Sequence, residues 1–182
     1  MKQRINRIHI VGASGSGTTT LAQAIAKRLD WHHFDTDNYY WILTTPPFRI
    51  KRKLQARQEM LKKDLSKHES WTLSGSLCGW GDMLISYFDL VIYLWIPPKI
   101  RMVRLAEREK QRYGDRIESG GTMYEKSQEF LNWARGYDEG DMNTRSKMLH
   151  DGWLKKLSCK ILKLEGNFEL EEKVDRVLAL IS

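Results

Sequence analysis

A chain of 182 residues, 41% hydrophobic and 29% charged, has the size and balance of one ordinary domain able to bury a sheet between helices, which excludes disordered and fibrous classes. Its 30 Lys and Arg against 23 Asp and Glu give a formal charge of +7, which favours an anionic partner without choosing between a phosphorylated small molecule and nucleic acid. Cys78 and Cys159 are too few to staple such a fold and lack metal-ligand spacing, and no apolar run suits secretion or a membrane span, so a cytoplasmic protein with packed, reduced thiols is expected.

In chain order, the apolar residues 7–11 predict a first strand, the segment GASGSGTTT follows from Gly12 to Thr20, and Leu21, Ile25 and Leu29 then share one helical face. Residues 32–35 read as a second strand and 51–68 as a helix striped by Leu54, Leu61 and Leu65. A third strand at 71–74 leads into SGSLCGWGD at 74–82, where Asp82 suits either the N-cap of a following MLISYF helix or a ligand-facing position. Residues 90–97, LVIYLWIP, are apolar on both alternating faces, as a central strand covered on each side requires. Pro97 and Pro98 end it and admit a helix from about Lys99.

From about 114 to 157 the chain is polar and interrupted by glycines. Met123, Ser127, Phe130, Ala134 and Tyr137 follow helical spacing, Thr122 with Glu125 spells a capping box, and Leu149, Trp153 and Leu157 suggest another short helix. A last strand at 160–164 precedes a helix that opens near Asn167, carries Glu169, Glu171 and Glu172 at its start, and buries Leu170, Val174, Val177 and Ile181. Strands alternating with helices predict the α/β class with a parallel sheet, and 114–157 form an insertion before its last strand.

Strand, then G-x-x-x-x-G, then Thr-Thr opening a helix is the arrangement of a phosphate-binding loop: glycines let backbone N–H groups turn inward and the helix N-terminus supports the anion. Gly12, Ala13, Ser14, Gly15, Ser16, Gly17, Thr18, Thr19 and Thr20 are therefore the candidate nucleotide-binding residues. In the usual pattern a lysine follows the last glycine and a hydroxyl residue then binds magnesium. Here Thr18 holds the lysine position and Thr19 the metal position, and no Lys or Arg occurs between Val11 and Gln23. Backbone donors bind phosphate without that lysine, so binding survives the substitution more easily than fast phosphoryl transfer.

GASGSGTTT, FDTD at 34–37, SGS at 74–76 and an Arg-rich helix after an apolar fourth strand together resemble P-loop kinases of the adenylate kinase and shikimate kinase type. The likeness extends over nearly the whole chain to a bacterial group of adenylate-kinase-related proteins, through DTDNYYW at 35–41, PPF at 46–48 and SGSLCGWGD at 74–82. It implies a three-layer P-loop NTPase fold, α/β, with a five-stranded parallel sheet, spanning the chain as one domain with 114–157 as a helical lid. It also implies ATP and Mg2+ as cofactors, a small-molecule acceptor as partner, Asp35 on the metal side with Thr19, and Asp37 at the acceptor or as general base. Where adenylate-kinase-like proteins often carry Asp-Gly, this chain has Ser74-Gly75, which puts more weight on Asp35.

Arg101, Arg104 and Arg108 lie three and four apart on the helix after Pro98, and in the resembling kinases arginines there and in the lid neutralise charge on the transferred group. Arg104 and Arg108 are the first candidates for charge lost with the lysine, Arg135 and Arg145 looser ones. Arg49, Lys51 and Arg52 near the Asp pair suit an anionic acceptor, and Tyr39, Tyr40 and Trp41 suit either core packing or stacking on a planar one. The expected function is an ATP-dependent phosphotransferase acting on a small molecule or nucleotide. The alternative is a nucleotide-binding switch that has lost catalysis with its lysine. Nucleic-acid binding rests on net charge alone, with no reader motif to support it.

Overall fold

The computed structural model describes residues 4–181. Strand β1 (Arg7–Gly12) leads through the glycine loop into helix α1 (Thr18–Leu29), then β2 (His32–Asp35) and the single turn α2 (Asp37–Tyr40). A hairpin of β3 (Trp41–Ile42) and β4 (Ile50–Lys51) follows, then α3 (Leu54–Leu65), β5 (Trp71–Ser74), a 3-10 turn (Asp82–Tyr87), β6 (Leu90–Trp95) and α4 (Pro98–Tyr113). The insertion holds a second 3-10 turn (Gly114–Ile117), α5 (Tyr124–Arg135) and α6 (Lys147–Leu154), before β7 (Lys160–Glu165) and α7 (Leu170–Ile181) close the chain.

Five strands form one parallel sheet in the order β2-β5-β1-β6-β7. The chain fills one side of β1 with β2 and β5, then crosses to β6, so the order reverses at β1. Such a reversal leaves a crevice outside the carboxyl ends of the strands, where open α/β sheets bind their ligands, and the loop after Gly12 lies there. Parallel register sets Asp35 of β2 level with Ser74 of β5, and Ser74 level with Ile10 of β1.

Strand alternation divides the core into two layers. Ile8, Ile10, Ile92 and Leu94 pack on one face with Leu21 and Ile25 of α1 and Val174 and Val177 of α7. Val11, Val91 and Tyr93 pack on the other with Leu61 and Leu65 of α3 and Trp153 and Leu154 of α6. His9 belongs to this second layer: fully buried, it bonds the Leu73 carbonyl through Nδ1 at 3.0 Å and stacks on Phe88. Burial pushes its pKa down to about 4, against the bond to Leu73.

The five strands of the sheet lie where hydrophobic pattern predicts them, and α4 begins with Pro98 at its first position. Caps are where the structure departs from expectation. Helix α5 starts at Tyr124 with Met123 ahead of it and no side-chain cap, so Thr122 and Glu125 make no capping box. Asp82 is the first residue of its 3-10 turn rather than a cap; its carboxylate accepts from Trp153 Nε1 at 2.9 Å and Lys156 Nζ at 3.0 Å, tying the turn to α6. Asn167 lies ahead of α7 and accepts from Arg104 instead. Leu54 is 48% exposed, so the buried stripe of α3 starts two turns later, at Leu61. Both cysteines are free and half-buried.

Candidate active site

The loop after β1 is shaped by its glycines. Gly15 and Gly17 sit at φ +80° and +89°, where side chains other than glycine are strained. A Cβ on Gly12 would stand 2.5 Å from the Leu94 carbonyl oxygen and 2.7 Å from Ser16 Oγ. The first turn of α1, Thr18 to Thr20, receives no side-chain cap and contains no acidic residue. Its amide donors and the positive end of the helix dipole therefore face the crevice. Ser16 Oγ is buried with no partner among the described residues. These features fit a bound phosphate.

Thr19 Oγ1 donates to Asp35 Oδ2 at 2.8 Å, and Ser74 Oγ reaches the same oxygen at 3.0 Å. His33 Nε2 contacts Ser74 Oγ at 3.0 Å, and the Asp37 amide donates to Asp35 Oδ1 at 2.9 Å. The Asp35 carboxylate is thus oriented from three elements, with the register between β2 and β5 setting the Ser74 contact. Among the described residues no group of three or more His, Cys, Asp or Glu is arranged to hold a metal. A magnesium ion commonly rests on one or two carboxylates plus water and substrate phosphates, which is what a Thr-Asp pair beside a phosphate loop provides.

Asp37 is exposed and opens into the cavity. Desolvation and the neighbouring Asp35 raise its pKa, while Arg145 and Arg108 pull it down. Arg108 of α4 lies over the Phe130 ring, its pKa lowered by burial and by Arg112 against the pull of Glu109 and Asp37. Arg104 lines the same cavity and donates to Asn167 Oδ1 at 3.1 Å, in the loop before α7. Arg101 does not join the expected guanidinium face: fully buried, it is paired with Asp138 and bonded to the Ile96 carbonyl, anchoring the insertion to α4. Arg135 is held by Asn132 on the surface of α5.

Arg145, ranked below Arg104 and Arg108 on sequence, lies closest to the loop. Its Nη2 donates to the Gly12 carbonyl at 3.0 Å. Enclosure by protein lowers its pKa, opposed first by Asp37 and then by Tyr137, Cys78 and Asp35. No local pattern marks this residue, which reaches the loop from 133 positions away. Behind it runs a buried polar chain: Tyr93 OH to Tyr137 OH at 3.0 Å, Tyr137 OH to His150 Nδ1 at 2.7 Å, and His150 Nε2 to Ser76 Oγ at 3.1 Å. Sequence reading missed this link between the insertion and the SGS turn, since each residue sits in a different element.

The loop, the Asp pair and Arg145 open on one cavity of about 1130 Å³, just above the usual range for ligand sites. Ala13, Ser14, Gly15, Gly17, Thr18, Thr19 and Thr20 line it with Asp35, Asp37, Arg104 and Arg108, while Gly12 and Ser16 are buried behind the loop. Its far wall carries Tyr40, Trp41, Phe48 and Trp80, with Arg49 and Lys51. Tyr39 is instead buried, its hydroxyl on Asp64 at 3.1 Å, and Arg52 is spent on the carbonyls of Tyr39 and Trp41.

Residues 8–129 match the family model of an AAA domain. Over 175 residues, 96% of this chain and 97% of the relative, the sequence is 53% identical to the uncharacterized protein YqaC of Bacillus subtilis (strain 168). It is 30% identical over 118 residues to a cytidylate kinase of Methanocorpusculum labreanum, covering 57% of this chain and 63% of that one. Among solved structures, a shikimate kinase from Acinetobacter baumannii in complex with shikimate superposes with a TM-score of 0.55 at 18% identity, over 97% of this chain and 93% of that one. This shared architecture is the P-loop kinase fold.

Proposed function

The chain belongs to the AAA-domain family, and on that premise we propose that it is an ATP-using, magnesium-assisted phosphotransferase with a small-molecule or nucleotide acceptor. One observation carries the reading: the Thr19–Asp35 contact of 2.8 Å beside a loop shaped for phosphate, with Asp37 two residues on in the same cavity. In this reading Gly12 to Thr20 hold the triphosphate through backbone amides, and Thr19 and Asp35 hold the metal. Bound magnesium supplies charge neutralisation on the phosphate oxygens. Asp37, its basicity increased by desolvation and by Asp35, accepts the proton of the acceptor hydroxyl. Arg108 and Arg104 line the cavity as donors to phosphate oxygens. The aromatic wall with Arg49 and Lys51 favours an acceptor with an apolar face and an anionic group. Residues 114–157 act as the lid of a single-domain enzyme. No described helix is long and apolar enough to cross a membrane, and with two free cysteines this supports a cytoplasmic place.

Thr18 in the position of the usual lysine favours a second reading, a nucleotide switch without transfer. A panel of nucleosides, nucleotides, sugars and hydroxy acids incubated with labelled ATP and magnesium separates the two. Label transfer to one acceptor class is expected. Tight ATP binding with no transfer to any acceptor would establish the switch, and absence of ATP binding would sink both.

A further inference from the structure

We infer that Arg145, carried by the insertion, takes the place of the lysine missing from the phosphate loop, so that full nucleotide affinity requires the insertion to be docked; this rests on the nucleotide-binding reading above. Three observations support the assignment. Among the described residues, Arg145 is the one basic side chain hydrogen-bonded to the loop, through Nη2 to the carbonyl of Gly12, its first residue. That bond uses one donor, and Nε is buried without any partner among the described residues. Arg101 and Arg145 each keep one buried donor without a partner among the described residues, but Arg101 has Asp138 in direct contact, whereas no described carboxylate lies within ion-pair distance of Arg145. Arg145 is half-buried at the edge of the cavity, and a guanidinium there with a spare donor and no ion-pair partner is stabilised by a ligand anion.

The residue is also held in position. Ser146 caps α6 by accepting from the Leu149 amide at 3.0 Å, and its hydroxyl donates to the Asp141 carbonyl. The Lys147 amide donates to the Tyr137 carbonyl at 2.8 Å, and His150 bonds both Tyr137 and Ser76. Most of these contacts hold position 145 within the insertion itself, and the His150–Ser76 contact joins that unit to the SGS turn. A lysine inside the loop would be present in every conformation; an arginine on the insertion is present only in the docked one.

Calorimetry with ATP and with adenosine, on the full chain in magnesium buffer, tests this with Arg145→Gln, Thr18→Lys and the double variant. Arg145→Gln is expected to weaken ATP binding by about 100-fold, the scale of lost hydrogen bonds to a charged group, and to leave adenosine unchanged. Thr18→Lys placed in that background is expected to restore at least about tenfold by returning the charge from within the loop. The unliganded Arg145→Gln protein should melt no lower than wild type, because the substitution removes a half-buried cation that has no ion-pair partner. If Arg145→Gln gives no cooperative melt, Arg145→Met replaces it with the same outcomes. Wild-type ATP affinity in the arginine variant, equal losses for ATP and adenosine, or no recovery in the double variant would each overturn the inference and leave the phosphotransferase reading standing. Failure of the wild-type protein to bind ATP would overturn both.

Discussion

The two walls of the cavity are built in opposite ways. The loop wall is local: β1, nine residues from Gly12 to Thr20, and the first turn of α1 are contiguous, and their glycine torsions and helix amides need no distant partner. The insertion wall is assembled from afar, with Arg145 reaching back to Gly12, Trp153 to Asp82 and His150 to Ser76. Backbone chemistry repeats wherever the same short segment recurs, whereas charge placed by tertiary contact depends on every element in between. In the proposed reading the loop wall supplies shape for a phosphate, and the insertion wall adds the Arg145 cation that shape alone lacks.

Asp37 stands between the walls, facing Arg108 of α4 and Arg145 of the insertion, and offers the largest effect. Asp37→Asn is expected to lower the turnover of labelled ATP, with acceptor or water, by roughly 10²–10⁴-fold, the usual contribution of a positioned general base. ATP affinity should hold or improve, since a carboxylate leaves a site that binds an anion. A loss below about tenfold would mean the proton is taken elsewhere, and the meeting of the two walls would lose its catalytic significance.

Acid stability compares the walls next. His9 in the sheet is held neutral down to about 4 by burial, and His150 in the insertion down to about 3 by burial, then Arg145 and His9. Both folded pKa values lie below the unfolded value of 6.5, so the unfolded chain binds more protons as pH falls. The stability of neutral burial is complete above pH 6.5 and is lost progressively towards pH 4 and 3, on the order of 3 kcal/mol for His9 and about 5 kcal/mol for His150. Melting temperature measured from pH 8 downward should decline below about pH 6.5. His9→Gln and His150→Gln should each flatten the decline. If only His9→Gln does so, the insertion is less firmly packed than the sheet and the comparison fails on that side.

What the sequence disclosed follows the same division. Apolar alternation marked β1, β2, β5, β6 and β7, because a strand buried on both faces leaves few polar residues among Leu90 to Leu94. The hairpin of β3 and β4 was invisible, since strands of two residues carry no period. Local capping rules failed at Thr122, where α5 starts after Met123, and at Asp82 and Asn167, where tertiary partners competed for the polar side chains: Trp153 and Lys156 took Asp82, and Arg104 took Asn167. At the site, the Thr19, Asp35 and Asp37 cluster was legible through loop spacing and the Asp-x-Asp pair. The order of the arginines was not: helical spacing favoured Arg101, Arg104 and Arg108 alike, and only packing reveals that Arg101 is consumed by Asp138 while Arg145 reaches the loop.

Ser74→Ala sharpens the loop wall. Ser74 bridges His33 and Asp35 without lining the cavity, so its loss should leave nucleotide shape recognition intact and disturb the carboxylate alone. An effect of about 10–100-fold on magnesium dependence, the scale of outer contacts that orient a metal ligand, is expected in a titration of ATP turnover against magnesium. An unchanged magnesium midpoint would show that Thr19 and the Asp37 amide orient Asp35 by themselves.

The smallest effect concerns the tie between the insertion and the 3-10 turn that begins at Asp82. Trp153→Phe retains an aromatic ring beside His9 and Phe88 but removes the 2.9 Å bond from Nε1 to Asp82. Asp82 keeps Lys156 as a partner at 3.0 Å, so the carboxylate is not left bare and the loss stays near that of one hydrogen bond and a slightly smaller ring. About 1–2 kcal/mol is expected, a fall of roughly 2–8 °C in melting temperature for a chain of this size. If the insertion wall is held by its distant contacts, the same variant should also weaken ATP binding modestly, because Arg145 then spends less time at Gly12. A destabilised protein with unaltered ATP affinity would show that the cation reaches the loop independently of this anchor.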